Sequence, residues 1–466
     1  MSVFVQNIEH GLIGDALGTR FQGGLRLADG RVQAMGPEAR PLPGDQIIDA
    51  RGCVVTPGLV NTHHHLFQSV MKAVPEGINA GLDIWLQKVP YAFWPYLDEE
   101  TLRISARIGL VELILTGATT VADHHYTFSP TYDYDPAQVL FEEAARWGVR
   151  FVLARGGNTK GRSYFDDPTI PPSFTETLPQ MLDQVAKTAA RWHDPSPLSM
   201  RRVAVAPTTP VFNLDPHELI PVAEAARSLG LRIHSHLSEN TTYLDFVQKA
   251  SGQRPLRWLM DQGWTGPDVW YAHLVEIDAW EIAHLAETGT AMAHCVQANA
   301  RLGSGIAPAD HLHAAGGVVS IGVDGAGANE AADMGAAMYA TFATHRATKG
   351  AAATKAETVL HWASAGGARA LGCEGLGILA VGAPADVAVF DISHPRNMGL
   401  HDAALAPMIT GACVAKHSFV GGRAVVSDGK IPGLDLAELA DDARRVTHRM
   451  KTLRAEAVDR VHRSSP

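Results

Sequence analysis

RRVAVAPTTPVFNLDPHELIPVAEAARSLGLRIHSHLSE, residues 201–239, contains one full unit of a repeating architecture. A short run rich in β-branched residues and alanine, RRVAVAPTT (201–209), gives way to LIPVAEAARSLG (219–230). Apolar residues in the latter recur at helical spacing, and it closes on the kind of glycine that caps a helix C-terminus. A second apolar run, LRIHSHLSE (231–239), follows at once. Strand, helix and strand in that order predict a parallel pair joined by a helical crossover.

The same unit recurs in both directions. Upstream lie CVVTPGLV (53–60), ATTVADHH (118–125) and VRFVLARGG (149–157); downstream lie VWYAHLV (269–275), AMAHCVQ (291–297) and VVSIGVDG (318–325). With the two runs above, the count is eight, and segments such as AQVLFEEAARWG separate them with helical patterning. Eight alternations predict an α/β chain folded as a (β/α)8 barrel over residues 57–373. The flanks read differently. FQGGLRLADGRVQAMG and DQIIDARG before the barrel, and LGILAVGAPADVAVFDI and KHSFVGGRAVVSDGK after it, are short strands with Gly/Asp turns. Residues 1–56 and 374–430 are therefore expected to form one composite β-sandwich from both chain ends. Residues 431–466 are expected to be a charged amphipathic helical extension.

Bulk properties narrow the classes of function. The chain has 466 residues, 46% hydrophobic and 19% charged, and no long stretch free of charge, as in ordinary globular proteins and unlike a membrane-spanning chain. A formal net charge of −10 and the lack of any basic run argue against nucleic acid as a partner. Four cysteines, Cys53, Cys295, Cys373 and Cys413, show no C-x-x-C spacing, and the first residues lack the flank and apolar core of a signal peptide. A cytoplasmic location is the expectation. Neither a P-loop nor a dinucleotide fingerprint occurs in the required strand-to-helix context.

The unusual count is histidine, at 22, and what matters is where those residues fall. A (β/α)8 barrel carries its site at the C-terminal ends of its strands. His63 and His65 follow the first predicted strand, His236 and Glu239 end the fifth, His273 the sixth and Asp324 the eighth. His63 and His65, two apart, point to one side of an extended segment, with His64 turned away. Alone, H-x-H also occurs in surface clusters; joined by His236 and Asp324 it makes a set of three imidazoles and one carboxylate. That set suits one Zn²⁺, with Fe²⁺ or Mn²⁺ also compatible. The fourth strand has no lysine to bridge a second metal.

A cation with an open position brings the pKa of a bound water to near 7. Attack on an amidine-like C–NH₂ then needs protons for the ring nitrogen and the departing amine. Glu239 is the candidate shuttle, His273 and Asp324 its catalytic partners. The plainer alternatives are an exposed helix-start glutamate, a satisfied core histidine and a turn aspartate before Gly325. Candidate substrate contacts are Gln68, Trp94, Tyr126, Arg155, His294 and Asn299. The amide of Gln68 offers a donor and an acceptor to a lactam edge. Arg155 suits a ring carbonyl or, equally, a salt bridge. The aromatic loop INAGLDIWLQKVPYAFWPYLDEE (78–100) suits stacking on a flat ring or simply its own packing.

PGLVNTHHHLFQ, HSHLSE, YAHLV, AHCVQANARLGSG and SIGVDGAGANEAADM together resemble the mononuclear deaminase branch of the amidohydrolase superfamily over nearly the whole chain. VNTHHHLFQS, VADHHY, FVLARGG and APTT are most similar to the pterin-type (isoxanthopterin) deaminases, with 8-oxoguanine and guanine deaminases and triazine hydrolases as neighbours. The resemblance implies His63, His65, His236 and Asp324 as zinc ligands, Glu239 for proton transfer and His273 beside the reacting water. It also implies a small heterocyclic substrate, no membrane partner and a homo-oligomer, dimer or larger. The chain departs from the family at Val296, where proline is common, and at Ala298 to Ala300, where relatives carry S-N-G; the local loop shape there stays open. A non-catalytic scaffold is the alternative of a different class, and it would lack the ligand set that is present here.

Overall fold

The computed structural model describes residues 2–162 and 169–464, with side chains described as far as Arg460. Eight parallel strands follow one another around a single sheet in chain order: Leu59–Asn61, Ala118–His125, Arg150–Arg155, Arg201–Val205, Arg232–Leu237, Val269–His273, Ala291–His294 and Val319–Ile321. Thr62 N donates to Ile321 O at 3.1 Å, which brings the first and last strands side by side and curls the sheet into a barrel. Every residue of Ala118–His125 and of Arg150–Arg155 is buried, as both faces of a parallel sheet are when helices pack outside it.

Each predicted strand has a counterpart, and one differs in an informative way. CVVTPGLV is two strands in two sheets: Cys53–Pro57 belongs to the outer sheet and Leu59–Asn61 to the barrel. The break is at Gly58, whose N–H donates to Asp386 O at 2.9 Å while the chain crosses from one sheet to the other. A Cβ at this position would collide with the Thr119 side chain, so only glycine allows so close a passage.

The outer sheet is mixed and joins both chain ends. Val3–Leu12, Arg20–Ala28, Arg31–Gly36, Gln46–Asp49 and Cys53–Pro57 come from the N-terminal side, and Val387–Asp391, Ala415–Val420 and Arg423–Ser427 from the C-terminal side. The two sets meet where Cys53–Pro57 pairs antiparallel with Val387–Asp391, and Val5, Leu27, Val55, Val387 and Phe419 fill a core separate from that of the barrel. The final helix, Leu436–Ser464, lies along Glu99–Leu115. Val446 and Met450 are buried there, and Arg445 and Arg449 pair with Glu100 and Asp98. Among the described residues no helix is long and apolar enough to cross a membrane, and all four cysteines are buried free thiols.

Candidate active site

At the C-terminal ends of the barrel strands six imidazoles crowd together, those of His63, His65, His124, His234, His236 and His273. Their hydrogen bonds determine where each carries its proton. His65 Nδ1 lies 2.7 Å from His124 O and His236 Nδ1 lies 2.6 Å from Thr208 O. A carbonyl only accepts, so both Nδ1 atoms carry hydrogen and both Nε2 atoms present lone pairs. His234 Nδ1 donates to Trp270 O at 2.9 Å, so its Nε2 accepts from His63 Nδ1 at 2.8 Å. The Nε2 of His63 is thereby left as a third bare lone pair, buried and without a partner.

These lone pairs converge with a carboxylate. His65 Nε2 and His236 Nε2 are 3.1 Å apart, and Asp324 Oδ1 lies 3.4 Å from His63 Nε2 and 3.3 Å from His65 Nε2. For metal–ligand bonds of about 2.0–2.1 Å, the edges of a tetrahedron measure roughly 3.3–3.4 Å, and these three separations are close to that spacing; His63, His65 and His236 also fall in one group of side chains that could hold a metal ion, and His63 and Asp324 in another. Burial, reinforced by the neighbouring imidazoles, lowers the pKa values of His63 and His236 far below the usual histidine range and keeps both rings neutral, the form that ligates. Burial pushes the Asp324 carboxyl up, but the imidazoles around it and the Gly325 N–H (2.6 Å to Oδ1) outweigh this and hold its pKa down.

The backbone is strained at the same place. Ser238, His273, Leu274 and Asp324 have φ of 51°, 75°, 51° and 65°, a left-handed region that L side chains avoid. His273 Nδ1 donates to Asn299 Oδ1 at 2.8 Å, so its Nε2 faces Glu239 Oε2 at 3.6 Å and Asp324 Oδ2 at 3.9 Å. Burial raises the Glu239 carboxyl to about 7.

A cavity opens above this floor. Gln68, Thr208, Thr209 and Asn213 give it a polar edge, and Leu82, Trp85, Leu86, Tyr91, Tyr126 and Phe212 give it apolar and aromatic walls. Gln68 donates from Nε2 to Tyr126 OH at 3.4 Å, and its buried Oε1 has no partner.

Of the substrate contacts expected from sequence, the cavity takes in Gln68 and Tyr126 and leaves out four. Trp94 packs behind the wall, its ring 4.8 Å from Tyr91 and 5.4 Å from Tyr126; Trp85 and Tyr91 of the same loop line the cavity instead. Arg155 is turned away in a two-pronged ion pair with Glu176 (both 2.8 Å) and covers Phe128, so its salt-bridge alternative is the one realised. His294 contacts His345, Nε2 to Nε2 at 3.2 Å, away from the cavity. Asn299 acts on His273 and does not line the cavity. Sequence reasoning missed Thr208, Thr209, Phe212 and Asn213, although they follow the fourth strand at the functional end of the barrel. It assigned no role to His64, His124 and His234, whose rings bond to Asp324 O, to Ala206 O, and to His63 and Trp270 O respectively.

The profile of the amidohydrolase family matches residues 54–425. The chain belongs to the amidohydrolase family. Within that family, it is 45% identical over 443 residues to an isoxanthopterin deaminase from an unknown prokaryotic organism, covering 91% of each chain. To the 8-oxoguanine deaminase of Pseudomonas aeruginosa it is 37% identical, over 90% of this chain and 92% of that one. Among solved amidohydrolase structures, one from an environmental sample of the Sargasso Sea superposes with a TM-score of 0.84 at 40% identity, covering 97% of this chain and 99% of that one. The atrazine chlorohydrolase of Arthrobacter aurescens complexed with zinc superposes with a TM-score of 0.89 at 25% identity, covering 96% and 100%.

Proposed function

We propose that this amidohydrolase is a metal-dependent hydrolytic deaminase of a flat aminated heterocycle, with a pterin of the isoxanthopterin type as substrate, zinc as the metal and ammonia as a product. The observation that carries the reading is the convergence of three imidazole lone pairs and one carboxylate at the floor of an aromatic-walled cavity. His63, His65, His236 and Asp324 would hold the cation. It would supply Lewis-acid activation of a water at neutral pH.

The protein's own groups account for the remaining steps. Glu239, with its carboxyl raised to about 7, exchanges a proton readily in either direction near neutrality. It takes a proton from the attacking water and passes it to the ring nitrogen, then takes the second proton from the new hydroxyl on the tetrahedral carbon and gives it to the departing amine, so that the C–N bond breaks as the C=O forms. His273, its Nδ1–H committed to Asn299, keeps an Nε2 lone pair directed at the same space and orients the water. Trp85, Tyr91 and Tyr126 sandwich the ring and exclude solvent, while the free Gln68 Oε1 accepts from a lactam N–H. The likeness to an 8-oxoguanine deaminase makes a purine the second reading.

Ammonia release by the zinc-loaded protein against pterins, purines, pyrimidines and aminotriazines tests both. Turnover of an aminopteridine that falls by about a hundredfold or more in Glu239→Gln is the expected result. Preference for a purine would transfer the assignment to the second reading, and zinc binding with no turnover of any panel member would overturn both.

A further inference from the structure

His64 stands between two candidate ligands, and alternation along the extended segment turns its ring away from the space that His63 and His65 share. The ring is fully buried, and Nδ1 lies 2.6 Å from the backbone carbonyl oxygen of Asp324. That oxygen only accepts, so Nδ1 carries the hydrogen and donates it. Room for the ring comes from Gly109 on the helix Glu99–Leu115, where a Cβ would come within 2.9 Å of His64 Nε2.

Asp324 needs holding. Its φ of 65° is unfavourable for a residue with a Cβ, and it lies outside both the strand Val319–Ile321 and the short helix Ala326–Asn329 that flank it. Both of its peptide groups are tied to one tract: its N–H donates to His63 O at 3.0 Å, and its C=O accepts from His64. In this conformation Oδ1 stands 3.4 Å and 3.3 Å from the Nε2 atoms of His63 and His65. The T-H-H-H segment thus contributes two imidazoles on one side and, on the other, grips the backbone of the carboxylate that completes the set.

We infer that His64 is a positioning residue for the metal carboxylate, its Nδ1–H clamping the Asp324 carbonyl so that the Asp324 side chain meets His63 and His65. The inference rests on the metal-binding reading above. Its chemistry is specific to a donor at one place. An asparagine Nδ2 occupies nearly the position of a histidine Nδ1 and donates likewise, whereas leucine and phenylalanine fill the space and donate nothing.

The test compares zinc affinity, by competition with a chromogenic chelator, in His64→Asn, His64→Leu, His64→Phe and Asp324→Ala, alongside the melting temperature of each metal-free protein. His64→Asn is expected to bind zinc within about threefold of the parent. Leu and Phe should weaken binding by about tenfold to a hundredfold, the usual range for a lost outer-sphere partner. The two non-donating variants differ in shape, so one remains usable if the other packs badly. Equal affinity in Asn, Leu, Phe and parent would overturn the inference, as would an equal loss in all three, which would mean that the ring only fills space. Asp324→Ala separates this from the underlying reading. Unchanged zinc affinity there removes the metal set itself, whereas weakened binding there with parent-like His64→Leu and His64→Phe removes only the clamp.

Discussion

His65 and His236 face each other Nε2 to Nε2 at 3.1 Å, and each has its Nδ1 hydrogen committed to a backbone carbonyl. Two lone pairs at that distance repel unless a cation lies between them. Metal removal is therefore expected to destabilise the folded protein. A ligand present at a thousand times its dissociation constant stabilises by about 4 kcal/mol, which for a chain of this size is a shift of several degrees. Thermal denaturation with and without a chelator, followed by zinc re-addition, measures it; superimposable melting curves would refute the site.

Glu239 yields a pH dependence with a definite sign. Burial raises its carboxyl from the ordinary 4.5 to about 7, so in that window the folded protein holds a proton that the unfolded chain has released. The stabilising contribution is full below pH 4.5 and is lost as the pH rises through 7. Metal-free parent should lose up to about 3 kcal/mol relative to Glu239→Gln between pH 4.5 and 8. Denaturant titrations of the two proteins at several pH values read this difference, and parallel curves would show that the carboxyl is not raised. Turnover of Glu239→Gln should fall by a factor on the order of 10² to 10⁴.

Gly325 leaves the space that Gln68 fills. A Cβ there would collide with the Gln68 amide, while the backbone at φ −64° and ψ 136° accepts alanine. Gly325→Ala should displace Gln68 and raise KM about tenfold, the cost of one hydrogen bond, with zinc content unchanged. An unaltered KM would mean that Gln68 does not touch the substrate.

Arg155 should behave as a structural residue. Its pair with Glu176 is buried, so Arg155→Ala strands a carboxylate and should lower stability by about 3–5 kcal/mol. The folded fraction should keep a KM within about twofold of the parent, less than the loss of one net hydrogen bond. A large KM change at constant melting temperature would instead assign the guanidinium to substrate.

Much of this was legible because it is periodic. Eight β-branched runs separated by helical spacing mark a parallel barrel, and polar residues at their ends mark its working rim. His63, His65, His236, Glu239, His273 and Asp324 could all be singled out this way, since the barrel brings every strand end to the same place. Position within a loop has no such regularity. Trp85 and Trp94 lie in one aromatic stretch, and nothing local says that the first lines the cavity while the second backs it.

The sequence by itself determined the alternation, the rim and the types of donor available, because these depend on side-chain chemistry and spacings of two or 3.6 residues. Only the tertiary structure decided which partner each polar group meets. Arg155 found Glu176 21 positions on, Gly58 met Thr119 61 positions on, and His64, apparently idle beside two candidate ligands, reached the carbonyl of Asp324 260 positions away. Those pairings arise when separate strand ends are packed into one buried volume, where an unpaired polar group is costly and the nearest complementary atom is set by the fold.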